Sequence, residues 1–168
     1  MKLLLLRHAI AEDLSQSQKD EDRALTKSGI EKMKRYAKIY SSACHSIKFI
    51  VASPYLRAQQ TAKILQKRAG CALFTHSCLI PSADPKEIFA VLSKELEMKT
   101  EVQDTIALVG HQPYLSYLLA NICQSPASSF VFKKGGAAFV EIDNLEKSTG
   151  RLLWMSSPSL FREISEQL

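Results

Sequence analysis

The stretch LLLLRHA, residues 3–9, decides the fold of this chain. Four consecutive leucines show no apolar–polar alternation, so they do not describe a strand with one wet face. They describe a strand buried on both faces, and such strands belong to parallel sheets covered by helices. Arg7 and His8 follow at once. An element anchored in the core therefore delivers a guanidinium and an imidazole at its carboxyl end, where open parallel sheets bind ligands.

Residues 49–53 (FIVAS) and 105–111 (TIALVGH) repeat the apolar pattern with β-branched enrichment, and residues 72–79 form a weaker strand. Residues 137–143 (AAFVEID) and 151–156 (RLLWMS) form a later pair, antiparallel if the turn-rich NLEKSTG joins them. Helical segments alternate with these strands. Residues 25–43 set Ile30, Met33, Ala37 and Tyr40 on one stripe, with Thr26 as N-cap. Ser53 as a cap and Pro54 at the first helical position open a second helix that ends at Gly70. Asp84 and Pro85 open a third in the same way. A fourth begins just after His111 with Pro113 in its first turn, and a last helix follows Pro158. The alternation predicts an α/β fold, a three-layer α/β/α sandwich on a mostly parallel central sheet. The 168 residues read as one domain, 1–168, with no repeat or linker.

Hydrophobic residues make up 46% of the chain and charged residues 23%, as in ordinary soluble domains. The net charge of +5 is scattered along the sequence without a Lys/Arg block, so no nucleic-acid partner is expected. Cys44, Cys71, Cys78 and Cys123 form no CxxC pair and no zinc spacing, which predicts reduced, mostly buried thiols in a cytoplasmic protein. The apolar run after Met1 is too short for a signal peptide and ends in Arg7. No stretch is long enough to cross a membrane. A monomer is expected.

Three strand ends carry polar chemistry: Arg7-His8, Ser53-Pro54 leading to Arg57 in the next helix, and Gly110-His111. If these strands are neighbours, Arg7, His8, Arg57 and His111 converge on one crevice, and no acidic residue interrupts the set. Guanidinium forks match phosphate oxygens, and helix N-termini point amides at anions. The pocket suits a phosphoryl group. His45 and His76 match no such pattern and read as surface or loop residues. No HExxH-like spacing exists, and Arg7 beside His8 would repel a cation, so no metal is expected. The glycines of KKGGAAF, from Lys133, read as a tight turn before a strand.

These motifs carry a family resemblance. LLLLRHA resembles the Arg-His-Gly signature of the histidine phosphatase superfamily, with Ala9 where glycine is usual. RALTKSG from Arg23 is similar to its LT-x-x-G helix start, ASPYLRAQQTA from Ala52 to its SP-x-x-R-A-x-Q-T block, and VGHQP from Val109 to its second histidine motif. The resemblance implies a phosphoglycerate mutase-like fold without a large cap subdomain and without a cofactor. It implies that His8 is the nucleophile, forming a covalent phosphohistidine, and that Arg7, Arg57 and His111 bind the phosphate and share in catalysis. A neutral imidazole can attack phosphorus in line if its second nitrogen is pinned by a backbone carbonyl. The methyl of Ala9 does little damage unless the position needs φ > 0.

The general acid stays open among Asp84, Glu87, Glu12 and Asp13, or none of them; Asp84 reads first as a helix cap, and Gln112 stands where one branch of the family places an acid. A missing acid and the absence of a lid favour phosphohistidine as substrate, because an imidazole departs more readily than an alkoxide. The expected partner is a phosphohistidine-bearing phosphotransfer domain of a signalling protein. The alternatives are a phosphatase or mutase of small phosphorylated substrates and, more remotely, a phospho-binding module without turnover.

Overall fold

The computed structural model describes residues 1–16, 18–44, 46–96 and 104–159. Six strands form one sheet: β1 (Lys2–Arg7), β2 (Ile47–Ala52), β3 (Ala72–Thr75), β4 (Thr105–Gly110), β5 (Ala137–Asn144) and β6 (Thr149–Ser156), in the order β3-β2-β4-β1-β5-β6. The β3-β2, β2-β4 and β4-β1 pairs are parallel; β5 is antiparallel to both β1 and β6. Four α-helices cover it: α1 (Lys27–Ala43), α2 (Leu56–Ala69), α3 (Glu87–Leu96) and α4 (Tyr114–Cys123). This is the expected sandwich on a mostly parallel sheet.

The four leucines of β1 are fully buried because the strand is packed from both sides. Leu4 and Leu6 join the core under α1 and α2, with Met33, Tyr40, Ala58 and Leu65. Leu3 and Leu5 join the core under α3 and α4, with Ile88, Leu92, Leu115 and Leu118. Each buried leucine is worth about 2 kcal/mol of transfer free energy, so the strand end is held rigidly.

Sequence and structure differ at several points. The second helix begins at Leu56 rather than at Pro54, with Tyr55 as N-cap and no side-chain cap bond. Ser53 lies two residues ahead of that N-cap; its hydroxyl meets a histidine across the sheet end at 2.8 Å and accepts a longer bond from Tyr55 N–H at 3.4 Å. In α1 Met33, Ala37 and Tyr40 are buried with Ile30 half-buried against the same core, as the stripe predicts, and Gly29 is buried beside them. A Cβ on Gly29 would stand 2.2 Å from the Ile10 carbonyl oxygen, so only glycine lets the helix come this close. The weak strand stops at Thr75 and is followed by a 3₁₀ turn, Ser77–Leu79. The helix expected after Pro158 falls almost wholly on residues 160–168, and His45 likewise lies outside the described residues.

The basic residues are not scattered in space. Helices α1 and α2 carry nine of the 22 Lys and Arg and only one of the 17 Asp and Glu. Linear spacing hides this, because the two helices are adjacent only in the fold.

Candidate active site

Strands β2, β4 and β1 are neighbours, so their carboxyl ends open on one crevice. Among the described residues no inserted cap stands over it. In the connection from β1 to α1 the described residues form the turn Asp20–Asp22 and a bridge between Ala11 and Leu25. The structure brings the four expected residues together. His8 extends the pairing of β1, its N–H donating to the Gly110 carbonyl at 3.0 Å. Arg57 reaches in from the first turn of α2, and its Nε–H donates to His8 Nε2 at 3.3 Å. The His8 and His111 ring centroids are 5.1 Å apart. His8, Arg57 and His111 are buried.

His8 Nδ1 lies 2.7 Å from the Ala9 carbonyl. A carbonyl only accepts, so Nδ1 carries the hydrogen and Nε2 the lone pair. The expected backbone pin is therefore present, supplied by the adjacent residue. Burial drives the His8 pKa down to about 3; the Ala9 bond opposes this, and the charges of Arg57, Arg7 and Lys134 reinforce it. His111 is likewise lowered to about 3, first by burial and then by His8 and Arg57. Both imidazoles are neutral at physiological pH. His111 Nε2 is 2.8 Å from Ser53 Oγ. His111 Nδ1 and Arg7 Nε are buried with no hydrogen-bond partner among the described residues, as expected of groups shaped for an incoming anion.

Ala9 is buried without positive φ, and its N–H donates to Thr61 Oγ1 at 3.0 Å. Its methyl is accommodated without backbone strain.

An acidic residue does interrupt the set. Asp20 Oδ2 is 2.8 Å from Arg57 Nη2, its carbonyl accepts from Arg57 Nη1, and its Oδ1 is 2.8 Å from Arg23 Nη1. Desolvation raises the Asp20 pKa, but hydrogen bonds from Arg23 and Arg57 outweigh it and hold the carboxyl below the usual range. Asp20 escaped the sequence reading because it sits in a polar loop far from any strand end. Its only signal was its place three residues ahead of Arg23.

None of the four acid candidates forms a hydrogen bond or ion pair with the cluster among the described residues. Asp84 Oδ1 accepts from Lys86 N–H at 2.9 Å, a turn bond just ahead of α3 that matches the cap reading. Glu87 lies exposed in the first turn of α3, and Glu12 and Asp13 are exposed on the rim. Gln112 donates to Ser116 Oγ at 2.7 Å, at the start of α4.

Two further features leave no local pattern in the sequence. The loop before β5 braces the carboxyl end of β1. Arg7 Nη1 donates to the Phe132 carbonyl at 2.6 Å, Gly135 N–H to the His8 carbonyl at 3.0 Å, and Arg7 N–H to the Gly136 carbonyl at 3.0 Å. Gly135 takes φ +79°, so the KKGG turn exists as expected and serves as scaffold as well. The Tyr55 ring packs edge-on to His111, centroids 5.0 Å apart, and lies 4.9 Å beneath the Arg57 guanidinium carbon. His76 is a loop residue as expected, its Nδ1 accepting from Cys78 N–H. Cys44 and Cys78 are buried; Cys71 and Cys123 are half-buried. No three His, Cys, Asp or Glu side chains gather as a metal site among the described residues, and no described helix is long and apolar enough to cross a membrane.

Two arginines and two neutral histidines, one of them pinned, stand at the carboxyl end of a doubly covered sheet, and their donors match the oxygens of a phosphoryl group. The model of the histidine phosphatase superfamily (branch 1) matches residues 3–80, and the chain belongs to that superfamily as a phosphatase. It is 26% identical over 160 residues, 94% of each chain, to the phosphohistidine phosphatase SixA of Escherichia coli K12. It is 34% identical over 116 residues, 68% of each chain, to an uncharacterized protein of Picosynechococcus. A solved structure of protein histidine phosphatase SixA with tungstate superposes with a TM-score of 0.82 at 24% identity, covering 96% of this chain and 99% of that one. A mycobacterial glucosyl-3-phosphoglycerate phosphatase superposes at 0.70 with 17% identity, covering 93% and 99%.

Proposed function

We propose that this protein is a phosphohistidine phosphatase that clears the phosphoryl group from a histidine of a phosphotransfer protein through a covalent intermediate on His8. In this reading His8 Nε2 attacks phosphorus in line while the bond from phosphorus to the substrate imidazole breaks. Arg7 and Arg57 hold equatorial oxygens with their fixed donor forks. His111, neutral in the free pocket, gains a reason to bind a proton once a phosphate dianion stands beside it. Water then attacks phosphorus, the phosphorus–nitrogen bond to His8 breaks, and the water proton leaves with phosphate or to solvent. His8 returns as the Nδ1–H tautomer.

One observation carries the choice of substrate. The single carboxylate touching the cluster among the described residues, Asp20, is held ionised by two arginines and so offers no proton. An alkoxide leaving group needs a proton donor. An imidazole already protonated on its other nitrogen departs neutral, and it is chemically equal to the attacking imidazole. The similarity to SixA supports the same choice.

The test incubates the protein with a histidine-phosphorylated phosphotransfer domain and, separately, with small phosphomonoesters, each with and without chelator. Rapid loss of phosphohistidine, abolished in His8→Ala and indifferent to chelator, is the expected result. A preference for phosphomonoesters would move the protein to the small-molecule side of the superfamily. Full activity in His8→Ala would sink the nucleophile assignment.

A further inference from the structure

Apart from Arg57, the basic residues of α1 and α2 have no role in the chemistry above. Nine basic residues against one acidic give α1 and α2 a net charge of +8, whereas the rest of the chain, with 13 basic against 16 acidic, is net negative. The opposite helices contrast with α1 and α2: α4 holds no charged residue, and α3 holds Glu87, Lys94 and Glu95. Between α1 and α2 lies a groove of about 400 Å³, with Ala37 and Ile64 as its floor and Lys34, Lys38, Lys67 and Arg68 as its walls. All four cations are exposed, and only Lys34 has an acidic neighbour among the described residues, Glu31 at 2.7 Å. Lys34 and Lys38 are i,i+4 neighbours of like charge, as are Lys63 and Lys67, an arrangement that weakens a helix. Charge concentrated against its own helix stability points to an anionic partner.

Position selects the partner. Lys67 and Arg68 stand on the helix that places Arg57 in the pocket, ten and eleven residues further along, or about 15 Å by helical rise. A small phosphorylated molecule cannot touch both places; a folded domain can. No exposed aromatic side chain stands in the groove to stack bases, and no large exposed apolar side chain stands there to enter a lipid interface. We infer that the α1/α2 groove docks an acidic face of the phosphorylated protein substrate, steering its phosphohistidine to the pocket at the N-terminal end of α2. The inference rests on the phosphoprotein reading of the site. Complementary charge of this kind acts mainly on encounter rate and is screened by salt.

The test compares the protein with a Lys34→Gln, Lys38→Gln, Lys67→Gln, Arg68→Gln variant, whose changes are all on the surface. The substrates are an acidic histidine-phosphorylated phosphotransfer domain and free phosphoramidate, each at low and high salt. For the domain, kcat/KM falls roughly tenfold in the variant and loses most of its salt dependence, while kcat and phosphoramidate hydrolysis stay as they were. Equal kcat/KM and equal salt slopes would overturn the docking assignment. If the unaltered protein hydrolyses phosphoramidate but not the domain, the substrate reading fails instead, and binding of the unphosphorylated domain then decides the groove. Binding lost in the variant upholds docking. Binding unchanged, or the variant losing affinity only for a DNA duplex or phosphatidylserine vesicles, overturns it.

Discussion

Keeping two imidazoles neutral inside the pocket should make the fold unusually sensitive to mild acid. In the unfolded chain a histidine titrates near 6.5, whereas His8 and His111 are lowered to about 3 by burial. Between those values the unfolded state binds the proton and the folded state does not. Stability is therefore complete above the unfolded pKa and drains away as pH falls toward the folded one. Between about pH 7.5 and pH 5 each histidine contributes a loss of about 2 kcal/mol, and the two together about 4 kcal/mol. The figure hardly depends on the folded pKa, provided it lies well below 5. The Asp20 carboxyl, held below the usual range, loses its contribution only at lower pH, outside this window. Urea denaturation at the two pH values measures the loss. His8→Asn keeps an amide donor near Nδ1, and His111→Gln keeps a polar group near Nε2; the double variant should lose about 4 kcal/mol less than the unaltered protein over the same interval. Equal losses in the two would refute the claim that the pocket holds both histidines neutral.

Arg57→Lys exchanges a fork for a point charge and removes the Nε donor to His8, so kcat/KM should fall by about a hundredfold in steady-state assays. Asp20→Asn removes a negative charge that competes for Arg57; inorganic phosphate should then inhibit about fivefold more tightly, since a half-exposed charge is worth about 1 kcal/mol. Gly29→Ala drives a Cβ into the Ile10 carbonyl and should cost about 1–3 kcal/mol, read as a lower Tm. Ala9→Gly should give no gain in kcat and lose about 0.5–1 kcal/mol through a looser unfolded chain, because Ala9 occupies an ordinary backbone conformation.

The local signals proved reliable where one residue type answers one local demand. Thr26 caps α1, its Oγ1 accepting from Gly29 N–H at 2.9 Å, because that bond lies within a single turn. The hairpin of β5 and β6 follows from turn composition between two apolar runs. The start of α2 departs from its local signal for a physical reason. Ser53-Pro54 is a good opening by local rules, but the hydroxyl bonds His111, 58 residues away.

From the sequence alone one could determine that β1 is buried on both faces, that the sheet is mostly parallel, and that Arg7, His8, Arg57 and His111 stand at strand ends or helix starts. These follow from periodicity and order along the chain, which are local properties. Only the tertiary structure decided that Asp20 sits on Arg57, that Phe132 and Gly135 brace Arg7 and His8, and that the cations of α1 and α2 share one face. Each of these joins residues from elements distant in sequence. Their partners are set by sheet order and helix packing, and no local pattern records them.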